Sequence, residues 1–144
     1  MKVMIASLMI VITTAIHASG MLFALHLCNM KIVRQTTCSR LHCVVRTSSI
    51  VIVMFLVSLI EVAAWAVPFL AFDAIEGFEK AIYFSMVTYT TLGYGDVLLD
   101  EQWRLLASFE AANGIIMFGW TTAIVMYAIK SVFFDEHVDI QGSG

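Results

Sequence analysis

Thr90-Thr91-Leu92-Gly93-Tyr94-Gly95-Asp96 lies between two long apolar stretches. A run of threonine, apolar residue, glycine, aromatic residue and glycine can present consecutive backbone carbonyls to a dehydrated cation. Gly93 and Gly95 reach backbone angles closed to other residues, which lets successive carbonyls point the same way. The Thr91 hydroxyl adds an oxygen ligand at the inner end. In a membrane, backbone leaves a helix only where it is buried in protein or lines a water-filled cavity. The chemistry on offer is the coordination and passage of a cation.

Such a loop must be held by membrane-spanning elements, and the composition supplies them. The chain has 144 residues, of which 60% are hydrophobic. Its mean hydropathy is +0.90, which places it with multi-span membrane proteins. Three stretches exceed the roughly 20 residues needed to cross a bilayer. Val3 to Met30 carries no Lys, Arg, Asp or Glu, Thr47 to Phe72 carries only Glu61, and Leu105 to Ile129 carries only Glu110. A shorter apolar piece, Ala81 to Tyr89, cannot span and leads directly into the glycine-containing run. The expected fold is an all-α membrane protein with three transmembrane helices, and a re-entrant pore helix and filter between the second and third. The expected segments are an N-terminal helix at 1–30, a basic linker at 31–46, a pore module at 47–130 and a short tail at 131–144. Within the module, the outer helix is expected at 47–70, the pore helix at 78–90, the filter at 91–96 and the inner helix at 104–130. No internal repeat and no soluble ligand-binding domain is visible.

Lys2, the apolar run after it and the small residues Ala18, Ser19 and Gly20 have the outline of a signal peptide. The apolar character continues through Met21-Leu22-Phe23-Ala24-Leu25, so a retained helix is expected. The linker carries Lys31, Arg34, Arg40 and Arg46 and no acid. Short basic loops stay cytoplasmic, which puts the N-terminus outside, the C-terminus inside and the loop before the third span on the outer side. Cleavage near residue 20 would leave too short a remnant to return the linker to the cytoplasm. The linker bases also suit contact with anionic lipid heads. From Asp73 to Arg104 six acids face two bases, a net of −4. Clustered acids at a mouth raise the local cation concentration; Asp73 and Glu76 taken singly read as a solvated loop.

Thr91-Leu92-Gly93-Tyr94-Gly95-Asp96 matches at every position the filter signature T-V/L-G-Y-G-D, and residues 47–130 resemble the potassium-channel pore module. The resemblance implies K+ as the permeant ion, coordinated at Thr91, Leu92, Gly93 and Tyr94, with Gly95 completing the filter and Tyr94 turned off the axis. It also implies a homotetramer with cyclic symmetry, because each chain holds one quarter of the ring. The segment Gly77 to Tyr89 has helical composition, and the negative end of its dipole would face the ion. Asn113-Gly114-Ile115-Ile116-Met117-Phe118-Gly119 resembles the inner helix of bacterial two-helix potassium channels, which makes Gly114 and Gly119 gating-hinge candidates. Bending is favoured over close packing at Gly114 and the reverse at Gly119.

The chain departs from the family pattern in places. One bacterial subgroup has a pore-helix glutamate facing the filter aspartate, and Val87 stands there instead. Tyr83 falls where voltage-gated relatives place a tryptophan. A Tyr83 hydroxyl bond to Asp96 is therefore expected to steady the outer filter, with Thr90 as a further filter-support residue. Glu61 lies seven residues before Pro68 and Glu110 six after Arg104, about 9–11 Å in from the outer helix ends. Intramembrane acids are functional candidates, here for gating, bonded to the pore helix or to Asn113; an untitrating structural brace is the equal alternative. His17 and His26 are expected to be packed and neutral, although histidine can switch with pH. Cys38, His42 and Cys43 have no recognised metal-ligand spacing and read as reduced thiols beside a histidine.

These readings converge on passive K+ transport in the inner (plasma) membrane. The expected partners are other copies of the chain and membrane lipids, with no cofactor and no nucleic acid. A nonselective cation channel is the first alternative, though Tyr94 speaks against it. A potassium-transporter subunit is the second, though such proteins carry four loop units in one chain. No nucleophile–base pair suggests an enzyme.

Overall fold

The computed structural model describes the backbone of residues 1–32 and 40–133, and the side chains of residues 1–26 and 44–130. The expectations for Lys31, Arg34, Cys38, Arg40, His42, Cys43 and the tail at 131–144 concern groups outside those described.

The elements are α1 (Lys2–Ile32), α2 (Arg40–Ala71), α3 (Phe78–Tyr89), a 3-10 turn (Glu101–Trp103) and α4 (Arg104–Phe133). Three of them are long and apolar enough to cross a membrane, over Lys2–His26, Val44–Ala71 and Glu101–Lys130. The described residues are helical or looped, with no strand, as an all-α membrane fold requires. Helix α2 begins at Arg40, seven residues before the apolar stretch read from the sequence. The backbone ladder continues past the apolar boundary because arginine and leucine, both present there, are good helix formers.

Helix α2 ends where Asp73 takes a left-handed conformation, φ 51°. The Asp73 amide donates to Leu70 O at 3.1 Å and the Ala74 amide to Phe69 O at 2.9 Å. That is the paired-bond pattern that satisfies the last carbonyls of a helix. It turns the chain back toward the bilayer at Gly77, which precedes α3. Helix α3 has Glu79 in its first turn, where the positive end of the dipole favours an acid.

Two clusters form the core. One, at the end where α2 stops and α4 starts, joins Ala6 and Met9 of α1, Val62, Trp65, Ala66 and Phe69 of α2, Ala81, Phe84 and Tyr89 of α3, and Leu106 and Met117 of α4. The other joins Ala24, Ile50, Met54, Ile124 and Ala128, where only the three long helices meet. Helix α3 therefore occupies the half of the bundle where α2 stops and α4 starts. Along α1 the buried positions are Ala6, Met9, Thr13, His17 and Ala24, spaced at the three- and four-residue intervals of one helix face. Val3, Leu8, Val11 and Phe23 on other faces of α1 are exposed, as expected where the surrounding solvent is lipid. The Lys2 ammonium sits 5.2 Å from the Trp103 ring centroid, and Trp103 stacks on Phe72 at 5.3 Å. These contacts put the N-terminal end of α1 on the side where α2 ends and α4 begins.

Candidate functional site

The loop after α3 is tied to the end of that helix by its own amides. Thr90 N donates to Met86 O at 3.0 Å, Thr91 N to Thr88 O at 2.9 Å, Leu92 N to Val87 O at 2.9 Å and Gly93 N to Val87 O at 3.3 Å. No peptide bond in the chain's described part is cis. In a trans peptide the C=O points opposite to the N–H of the same unit. Since the amides of Thr91, Leu92 and Gly93 aim back at α3, the carbonyls of Thr90, Thr91 and Leu92 aim away from it.

The loop continues with alternating backbone hand. Thr91, Gly93 and Gly95 have φ of 60°, 55° and 75°, while Leu92 and Tyr94 between them stay negative. Glycine takes the left-handed region without penalty. A β-branched residue there is a genuine outlier and costs about 1–3 kcal/mol, a kind of strain that clusters at functional sites. Residues 90–96 are all exposed in the single chain, with Leu92 at 55% and Tyr94 at 68%. A strained polar backbone between apolar spans, uncovered on one side, is built to face something else.

At the C-terminal end of the loop, the Tyr83 hydroxyl donates to Asp96 Oδ2 at 2.6 Å. This is the bond expected from the absence of a carboxylate at Val87. It lowers the Asp96 carboxyl from its ordinary range and raises the Tyr83 phenol, because the hydroxyl proton stabilises the carboxylate and the carboxylate holds that proton. Thr90 turns its hydroxyl back onto Met86 O at 2.7 Å.

Behind the loop, both intramembrane acids reach the pore helix. Glu61 is fully buried and accepts the Tyr89 hydroxyl on Oε2 at 2.5 Å. Its Oε1 lies 3.0 Å from His17 Nδ1. Glu110, also fully buried, pairs with the Ser85 hydroxyl, which also meets Val62 O at 2.8 Å. One hydroxyl proton there faces two acceptors. Asn113 pairs with neither acid: its Nδ2 donates to Thr13 Oγ1 at 3.0 Å.

At Gly114, α4 packs tightly against the end of α3. A Cβ there would stand 2.0 Å from Tyr89 O, so only glycine admits this crossing. Helix α4 runs unbroken through it. Around Gly119 an added Cβ would meet nothing within 4 Å inside the single chain. The neighbouring Phe118 ring packs edge-on to Tyr89 at 5.6 Å. Ile115 and Ile116 are exposed, which leaves that face of α4 uncovered.

His17 is packed, as expected, but it is also bonded. The sequence reading did not connect it to Glu61, nor Ser85 and Tyr89 to the acids, nor Thr13 to Asn113. The signal was present: Thr13 and His17 are polar residues four apart, on one face of a largely apolar span, and such groups tend to face the protein. His26 is exposed.

No curated protein and no solved structure matches the chain. Residues 50–131 match the model of a family described as ion channels. The matched span runs from α2 through the pore helix and loop to α4, more than half of the chain, and leaves α1 outside it. A helix–loop–helix unit of this kind, in a chain with three membrane-spanning helices, makes this a multi-pass membrane protein of the ion channel family.

Proposed function

We propose that four copies of this chain form a potassium-selective pore that passes K+ down its electrochemical gradient. The observation that carries this reading is the backbone of Thr91 to Gly95, with positive φ at every second residue and the amides of Thr91, Leu92 and Gly93 tied to α3. Carbonyls of Thr91, Leu92, Gly93 and Tyr94 would replace the hydration shell of the ion. Gly95 completes the loop, Asp96 and Tyr83 brace its outer end, and Thr90 its inner end. The uncovered loop and the exposed Ile115 and Ile116 suit cyclic contact with other copies. The basic linker and the acidic outer segment favour an extracytoplasmic N-terminus and a cytoplasmic C-terminus in the plasma (inner) membrane. Gly114 and Gly119 are candidates for bending of α4 during opening, and Glu61 and Glu110 for setting its ease.

The test is flux from liposomes holding the purified protein under a K+ gradient, with and without Ba2+, and a mass measurement of the assembly in detergent. K+-dependent, Ba2+-blocked flux and a fourfold assembly are expected. Flux that is absent under every condition overturns the reading. A bi-ionic reversal potential that does not distinguish K+ from Na+ replaces it with a nonselective cation channel.

A further inference from the structure

Tyr89 is the last residue of α3, two positions before the strained Thr91. It is held on three sides: by the Glu61 carboxylate at its hydroxyl, by Phe118 at its ring and by Gly114 at its carbonyl. Its placement sets where the loop begins.

The Glu61 contact does not end at Glu61. His17 of α1 meets Glu61 Oε1 through Nδ1 at 3.0 Å, and its Nε2 lies 3.3 Å from Thr121 Oγ1 of α4. The imidazole also lies against Trp120, with ring centroids 5.2 Å apart. His17, Glu61 and Tyr89 are each 0% exposed. Donors and acceptors balance along the chain. With the imidazole proton on Nδ1, the phenol and Nδ1–H each donate to one carboxylate oxygen and Nε2 accepts the Thr121 hydroxyl proton. Among the described residues, His17 is the only basic side chain within ion-pair distance of Glu61. The remaining titratable groups on this side of the pore helix are Tyr89 itself and Glu110, which is engaged with Ser85.

A buried carboxylate that loses one partner is left with an unpaired oxygen, and that is costly in a membrane interior. It is relieved by turning toward another donor, and that alters the bond to Tyr89.

We infer that His17 is a positioning residue for the filter: from the N-terminal helix it fixes Glu61, Glu61 fixes Tyr89, and Tyr89 fixes the start of the carbonyl loop. Helix α1, which lies outside the family match, thereby becomes part of the ion-selecting apparatus. The inference rests on the potassium-pore reading.

The experiment uses the full chain in liposomes and begins with the parent. Absence of K+-dependent flux there overturns the pore reading itself. Given parental flux, bi-ionic K+/Na+ reversal potentials are measured for His17→Leu, Tyr89→Phe and the double variant, with K+-dependent thermal stabilisation of the assembly as a second readout. His17→Leu is expected to lower the K+/Na+ permeability ratio severalfold, and Tyr89→Phe to do the same. The double variant is expected to be no worse than the worse single. His17→Gln, which returns an amide donor to Glu61, is expected to recover much of the ratio. A structural role alone would lower the yield of assembled protein and leave the reversal potential parental. A parental ratio in His17→Leu, or single effects that multiply in the double variant, overturns the inference. If His17→Leu does not assemble, the near-isosteric Thr121→Val decides: a lowered ratio in the parent but not in Tyr89→Phe supports the inference, and a parental ratio overturns it.

Discussion

Ser85 and Tyr89 stand one turn apart on the pore helix, and each is hydrogen-bonded to a buried glutamate from a different span, Ser85 to Glu110 of α4 and Tyr89 to Glu61 of α2. Residues four apart share a helix face, so the two acids grip the same side of α3. This pinning explains how a short helix holds a fixed place in one half of the bundle.

Glu110→Gln should preserve the grip, because its amide can donate to Ser85 while Ser85 donates to Val62 O. Glu110→Ala removes the partner and opens a cavity. The expected loss is about 1–3 kcal/mol of stability, the usual penalty for disrupting a buried polar pair. Thermal unfolding of the detergent-solubilised assembly checks this: the Gln variant should melt near the parent and the Ala variant well below it. Curves of open probability against pH that coincide for Glu110→Gln and parent would exclude a sensor role for this acid.

The Tyr83–Asp96 bond predicts the behaviour of the outer loop under load. Tyr83→Phe keeps the ring and removes the donor. Current during sustained opening should decay severalfold faster, with the reversal potential unchanged. An unaltered decay would show that Asp96 is steadied by something else.

The same bond has a defined pH window. Asp96 is lowered, with the Tyr83 hydrogen bond as the largest cause, so the bond's contribution is present above the ordinary aspartate value of about 3.9 and fades as pH falls through the lowered one. Tyr83 is raised, chiefly by that bond, so on the alkaline side the contribution persists up to the ordinary tyrosine value of about 10 and is lost beyond it. Decay of current should therefore be flat in pH across the neutral range when read from the outer side. A step between pH 5 and 8 that vanishes in Tyr83→Phe would contradict this.

Gly114→Ala and Gly119→Ala should differ in sign. Replacing a helix-interior glycine by alanine ordinarily gains up to about 1 kcal/mol. At Gly119 nothing within the chain opposes the methyl group. At Gly114 the new Cβ would collide with the Tyr89 carbonyl at 2.0 Å, and overpacking costs typically about 1–3 kcal/mol. Thermal melts of the two variants give the comparison. A stabilised Gly114→Ala would mean that α4 and α3 separate more readily than this crossing implies.

Much of this arrangement was legible from the residues. The three spans, the non-spanning helix and the loop follow from where charge is missing. The Tyr83–Asp96 bond followed from asking what replaces a carboxylate at Val87. The buried polar chain was not legible in the same way. Glu61, His17 and Tyr89 are far apart in sequence, and their meeting depends on how α1 is rotated against α2 and α4. One apolar span looks much like another to a count of hydrophobic residues, because lipid accepts every face. Only Thr13 and His17 mark the inward side of α1, and they do not say which helix that side meets.

The crossing at Gly114 fixes more than a distance. Asn113 and Ile115, its neighbours on α4, point about 100° to either side, and neither could take the glycine's place against the Tyr89 carbonyl. Helix α4 is thus keyed to the pore helix like a shaft to its slot: it cannot spin about its own axis without dislodging the base of the loop.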